Sequence, residues 1–302
     1  MTTKLNKHKL GDVSETLIRE HMPEVLDILL IDRTKSNTKK NQNIIWANDN
    51  YIQFGARAYA PEAPIRPELV TGIMDSIIMP RALKPSELQK ERTRTKAEVF
   101  TPTWVVKKQN DAVDENYASD DLETYTNRTW LEITCGEAPY MVSRYDMDTG
   151  DEILLPNRVG FVDRKLRRLN AEVDDRATWQ SLVETAYKAS YGFEWSGDSL
   201  LLARENLLYT YRDYFMVKWG VEPDTEQLKT VAEIISYNVF QMDGLRYIVP
   251  FSDTRVRVAH QRISLFDDPE DIQEEWITKP GKRVKVMNWD KNKMEFFDKG
   301  VA

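Results

Sequence analysis

The chemistry available to this chain is densest in one decapeptide, Leu131-Glu132-Ile133-Thr134-Cys135-Gly136-Glu137-Ala138-Pro139-Tyr140. An apolar strand running into small residues and a glycine lets backbone N–H groups approach a ligand without obstruction from a Cβ. At the carboxyl end of a strand in an open α/β sheet, such a turn faces the ligand crevice. Elsewhere, Gly136 would do no more than permit a tight turn. About thirty residues upstream, Phe100, Thr101 and Pro102 precede an expected helix start. They offer an aromatic face, a hydroxyl and helix N–H groups to a small ligand with an apolar stem and a carboxylate. Two acids close later strand candidates: Asp163 in Val159–Asp163 and Glu194 in Tyr191–Trp195. Either can accept hydrogen bonds from a ribose diol, and either also reads as a surface residue.

These residues need elements to hold them. Val13–Ile31 has helical apolar spacing with a break at Pro23. Asn43–Ala47 reads as a short strand, and Pro61, Pro64 and Pro67 make the following segment irregular. Trp179, Leu182, Val183, Ala186 and Tyr187 form one helical face. Leu200–Trp219 reads as a long helix stopped by Gly220, and Asp224 with Gln227 as the capping box of the next. Leu245–Val249 is a strand candidate, Asp267–Glu275 an acidic tail, and Val284–Met287 with Met294–Phe297 a closing β-hairpin. Alternating strands and helices predict an α/β chain with a mostly parallel sheet. The expected organisation is a mixed N-terminal region over 1–90 with no recognisable chemistry, a ligand-binding domain over 91–250, and a tail over 251–302.

Composition narrows the functions. Apolar residues make up 41% and aromatics 10%, enough for a real core. With 42 basic against 49 acidic residues the net charge is −7, which argues against a protein that coats nucleic acid unaided. One cysteine, Cys135, and three scattered histidines exclude an internal disulfide and the usual zinc signatures. Met1–Gly11 is polar, and no stretch approaches the roughly 20 apolar residues of a membrane span, so a cytoplasmic protein without a membrane partner is expected.

The order of the Phe-Thr-Pro segment and the Leu-Glu-Ile-Thr-Cys-Gly-Glu-Ala-Pro-Tyr turn resembles adenine-specific DNA methyltransferases of the gamma arrangement. The whole chain is similar to bacterial restriction endonuclease subunit M proteins, most clearly from Arg92 to Pro250. The resemblance implies a Rossmann-like sheet that binds S-adenosylmethionine. Phe100, Thr101 and Pro102 would then border the methionine end, and Glu132, Gly136, Ala138 and Pro139 would shape the loop beneath it. Tyr191-Gly192-Phe193-Glu194 matches the family's second motif, which makes Glu194 the ribose acid; another register assigns Asp163 there and Asp198 to the adenine side.

The family's Asn/Asp-Pro-Pro-aromatic loop, which holds a flipped base, has no counterpart. Its nearest pieces are Asn238 in Ser236–Phe240, the only catalytic candidate, and Ile248–Phe251, which lacks the amide. No large C-terminal segment is present to read DNA, so the expected partners are DNA and a specificity or restriction subunit. Gln261–Phe266 faintly resembles a sliding-clamp docking motif. Basic runs at Lys35–Lys40, Arg92–Lys96 and Arg164–Arg168 could grip phosphates, but the favoured reading of each is a solvated helix face or loop. Three readings stay open: an active methyltransferase subunit, a catalytically inactive S-adenosylmethionine- or DNA-binding scaffold, and a mobile-element protein acting on host restriction.

Overall fold

A computed structural model describes residues 15–74, 77–96, 101–260 and 273–299. Three strands, β1 (Trp130–Ile133), β2 (Ser190–Glu194) and β3 (Val239–Gln241), form a parallel sheet in the order β1-β2-β3. The helices flanking them in chain order are α1 (Glu15–His21), α2 (Pro23–Leu29), α3 (Ser86–Lys96), α4 (Thr103–Asp114), α5 (Leu122–Thr126), α6 (Phe161–Glu172), α7 (Arg176–Lys188), α8 (Gly197–Trp219) and α9 (Thr225–Asn238). Two antiparallel hairpins follow, β4 (Thr254–His260) with β5 (Gln273–Lys279), and β6 (Lys285–Asn288) with β7 (Lys293–Phe296). The chain is thus α/β with a small parallel sheet. No helix among the described residues is long and apolar enough to cross a membrane.

Local chemistry explains the helix ends. Pro23 lacks the N–H that would continue α1, so α2 starts afresh there. The Asp224 carboxylate accepts the Gln227 N–H at 2.8 Å while the Gln227 side chain accepts the Asp224 N–H at 3.0 Å, which opens α9. Gly220, at φ +68°, closes α8 in a left-handed conformation that suits glycine.

The sheet lies between two apolar clusters. Tyr191, Phe193, Phe240 and Met242 meet Val249, Val284 and Val286 beneath the closing hairpin. The larger core runs from Ile18 through Trp46, Leu166, Trp179 and Leu201 to Val239. The N-terminal region shares this core, so residue 90 marks no break in packing. Arg204, fully buried on α8, stitches the parts together: its guanidinium donates to the carbonyls of Ile31 at 3.0 Å and Val239 at 2.8 Å.

Several expected strands differ. Val159–Asp163 is not a strand; its end is the first turn of α6, because the Asp163 carboxylate accepts the N–H groups of Gly160 at 3.2 Å and Ser143 at 2.8 Å. Leu245–Val249 is a turn joined by single bridges between Asp243 and Ile248 and between Ile248 and Arg283. The third strand instead begins directly after α9, at Val239. Asn43–Ala47 is extended but forms no named strand; it is held by isolated bridges and backbone hydrogen bonds and by the Gln241 side chain, which accepts the Ile45 N–H at 2.9 Å and donates to the Ile45 carbonyl at 2.8 Å. The acidic tail is partly strand, since β5 begins at Gln273, while 261–272 lies outside the described residues.

Candidate functional site

Beyond the carboxyl ends of β1 and β2 lies a cleft of about 570 Å³. Its floor is the turn after β1. Gly136 takes φ +53° and Ala138 φ +64°, so the chain reverses sharply through two left-handed residues. The neighbouring strand approaches closely: a Cβ on Gly192 would lie 2.3 Å from Met141 Cε and 3.1 Å from Cys135 Cβ. Glycine on β2 is what lets this turn seat against the sheet.

Two acids hold the turn. The Glu132 carboxylate accepts the N–H groups of Tyr140 at 3.2 Å and Met141 at 3.0 Å. Burial pushes its carboxyl up to about 8, against the pull of those two N–H groups. Glu194 accepts the Gly136 N–H on one oxygen at 3.0 Å, and those of Trp195 at 2.9 Å and Ser196 at 3.1 Å on the other. Burial raises its carboxyl too, though the same three N–H groups oppose the shift. A carboxylate has about four lone-pair sites. The oxygen facing Gly136 therefore keeps capacity for one hydroxyl donor, where the sequence reading expected a pair.

Of the residues singled out in the sequence, Thr101, Glu132, Gly136, Pro139 and Glu194 line this one cleft. Ala138 is fully buried beneath it, and Pro102 caps the N-terminus of α4. Phe100 lies outside the described residues, as does the Gln261–Phe266 segment.

Three assignments are corrected. Asp163 is fully buried in its helix-capping role, away from the strand ends. Asp198, 1% exposed, accepts from Asn48 at 2.8 Å and Tyr51 at 2.7 Å, so it braces the N-terminal segment and does not line the cleft. Asn238 ends α9 beneath the start of β3. Its amide donates to the carbonyls of Tyr187, Lys188 and Ser190 at 2.8–3.1 Å, and its oxygen accepts the Trp289 indole N–H at 2.8 Å. Its amide donors and one lone pair of its oxygen are spent on structure, away from the cleft.

Much of the opposite wall comes from the N-terminal region, which showed no chemistry in sequence. Ala47, Asn48, Asp49 and Asn50 line it, with Trp195 and Phe251. The indole and phenyl rings meet edge-on at 5.5 Å, and the Trp195 indole N–H donates to the Ala47 carbonyl at 2.7 Å. Asn48 is committed, donating to the Trp46 carbonyl and Asp198 and accepting the Asn50 N–H. The Asn50 carboxamide makes no hydrogen bond among the described residues. The signal available in sequence was the amide-rich Asn48-Asp49-Asn50 run directly after an apolar stretch.

What the cleft can do follows from its groups. The buried Glu132, the partly buried Glu194 and the exposed Asp49 favour a ligand with a localised positive charge. Aromatic faces favour a planar ring. Burial pushes the Cys135 thiol well up, so it stays protonated and does not serve as a nucleophile. Among the described residues no cluster of three or more His, Cys, Asp or Glu side chains could hold a metal. Comparisons with family models, curated proteins and solved structures find no match.

Proposed function

We propose that the cleft beside Gly136 binds S-adenosylmethionine, on the β1–β3 portion of a Rossmann-like sheet, in a subunit of a DNA adenine modification system. One observation carries this reading. Five residues from three separate segments, chosen for the same ligand from sequence, line a single cleft at strand carboxyl ends. Its volume falls in the ordinary range of about 300–1,000 Å³ for small-molecule sites.

The fit is chemical as well. Glu132 and Glu194 stand where a sulfonium and an ammonium would be neutralised, and the spare lone pair of Glu194 suits one ribose hydroxyl. Trp195 and Phe251 offer faces to a purine. When bound, the cofactor supplies an electrophilic methyl group. The chain's own part is to hold its charged end, exclude water with the aromatic rim, and present a carboxamide to an exocyclic amino group. With Asn238 committed to structure, Asn50 is the amide suited to that role.

Calorimetry on the purified chain tests the reading. Wild type is expected to bind S-adenosylmethionine. Gly136→Val should weaken binding at least tenfold, because a β-branched residue at φ +53° is strained and projects toward the ligand. Glu194→Ala should weaken it comparably. Absence of binding by wild type removes the proposal. Transfer of labelled methyl to DNA, lost in Asn50→Ala, would support an active subunit; cofactor binding with no transfer favours the scaffold reading.

A further inference from the structure

Strand β1 is an open edge of the parallel sheet: among the described residues it pairs with β2 and with no other strand. The Trp130 N–H donates to the Ala189 carbonyl at 3.0 Å. Backbone groups alternate sides along a parallel ladder, so Trp130 and Glu132 present theirs to β2. Leu131 and Ile133 therefore turn N–H and carbonyl outward, and among the described residues those groups make no hydrogen bond. Side chains alternate as well. Glu132 shares the face of Gly192 and reaches under its own loop, while Trp130 stacks on Phe161 at 4.8 Å. Leu131 and Ile133 share the face of Tyr191 and Phe193, where the β6–β7 hairpin completes the smaller apolar cluster. That cover does not reach β1. Leu131 is 42% and Ile133 69% exposed, although Tyr191 and Phe193 beside them are buried.

An apolar edge with unpaired backbone groups is a template for another strand, and folded proteins usually blunt such edges with lysine, proline or a bulge. Residues 129–134 contain no lysine, arginine or proline, and β1 keeps an unbroken register with β2. The strand that fits must offer outward N–H and carbonyl groups at alternate residues and apolar side chains on one face. β1 meets that description itself. Laid antiparallel against its own copy, with the twofold axis at Glu132, it sets Leu131 opposite Ile133 of the second copy and Ile133 opposite Leu131. Both members of each pair carry outward groups, so each pair exchanges two N–H···O bonds. The four apolar side chains then meet on one face, where they continue the cluster beneath the hairpin. No charge opposes this union. Glu132 lies on the axis, but its carboxylate is turned to the N–H groups of Tyr140 and Met141 in its own loop.

We infer that β1 is a homodimer seam, at which two copies join edge to edge into one continuous sheet. Neither Leu131 nor Ile133 lines the cleft, so each copy keeps its own site, and the antiparallel seam points the two clefts in opposite directions. The seam is independent of which ligand the cleft takes.

Sedimentation equilibrium over about 1–200 μM protein tests it. Wild type should form a dimer with micromolar dissociation, because a seam this short belongs with the small interfaces. Ile133→Lys should raise the dissociation constant more than tenfold by setting an ammonium against the apolar pair. Its site is exposed, so its circular dichroism spectrum should match that of wild type. Ile133→Val should keep the dimer. Register is read by cross-linking. Residues in a hydrogen-bonded antiparallel pair have Cα atoms about 5.5 Å apart, within disulfide range. Leu131→Cys mixed with Ile133→Cys should therefore give disulfide dimers on oxidation, and neither variant alone should do so to the same extent; Cys135 is buried. Wild type that stays monomeric at the highest concentration would leave the edge to a foreign strand and overturn the inference. A dimer undiminished by Ile133→Lys, or cross-linking no greater in the mixture than in the single variants, would overturn it too. Calorimetry with S-adenosylmethionine should be unchanged in Ile133→Lys. Loss of the dimer with cofactor binding intact sinks only the seam, and a seam without cofactor binding sinks only the methyl-donor reading.

Discussion

Glu132 is 6% exposed and sits beneath the loop whose N–H groups it accepts, yet its carboxyl titrates near 8. In an unfolded chain the same group titrates near 4.5. Between those values the folded protein keeps a proton that the unfolded chain has lost. The stabilisation is complete below about 4.5 and is lost as pH rises through about 8, at up to roughly 1.4 kcal/mol per unit. Glu194, also raised, acts in the same direction. Urea midpoints should therefore fall from pH 5 to pH 8, and Glu132→Gln should flatten that slope. A midpoint that stays constant in wild type would show that the carboxyl is already ionised under the loop. A cationic ligand reverses the preference by stabilising the ionised acids. S-adenosylmethionine should thus bind more tightly at pH 8 than at pH 6, and a neutral thioether analogue should show a smaller change.

At the scale of elements, the cleft depends on the contact between the start of α8 and the segment that carries Asn48–Asn50. The Gly197 N–H donates to the Trp46 carbonyl at 2.9 Å, and a Cβ on Gly197 would lie 2.0 Å from the Ile45 carbonyl oxygen. Gly197→Ala must push that backbone aside. It should destabilise by about 1–3 kcal/mol and weaken cofactor binding by moving the far wall. Gly220→Ala is the control: it is strained at φ +68° but meets nothing within 4 Å, so it should cost about 1–2 kcal/mol without touching the cleft. Melting curves with calorimetry separate the two, and equal cofactor affinity would break the link between α8 and the wall. The same contact shows what was legible beforehand. The capping pair Asp224–Gln227, the α7 face and the closing hairpin are encoded within a few residues, so pattern alone finds them. The role of Asn48 is set by Asp198, 150 residues away, and the role of Asp163 by Ser143. The end of α9 was obscured because Val239 and Phe240 continue its apolar spacing while the backbone has already turned extended. Five cleft residues were readable because they lie at strand ends or, for Thr101, beside a helix start; the Asn48–Asn50 wall was not, because only tertiary packing brings it there.

At the scale of the whole molecule, Arg204 makes the N-terminal region inseparable from the sheet. Its guanidinium lies in the core with no carboxylate hydrogen-bonded to it, and four carbonyls surround it: Leu29 and Ile31 from the N-terminal side, Ser236 and Val239 from the end of α9. Burial without a hydrogen-bonded acid drags its pKa down to about 9. A cation so placed is tolerated only because those carbonyl dipoles replace its water. Arg204→Leu has the length to fill part of the space but leaves four buried acceptors unmet, so a loss of about 3–5 kcal/mol is expected. Arg204→Lys keeps the charge but cannot fan donors to four directions, so it should recover only part of that loss. By the same reasoning, a chain lacking residues 1–90 strips α2 from α8 and α9 and strands the guanidinium, so it should not melt cooperatively. Thermal denaturation followed by circular dichroism reads all three. A sharp transition in the shortened chain would mean that the sheet and its cleft stand without the N-terminal wall, and the ligand site would then have to be rebuilt from the Gly136 side alone.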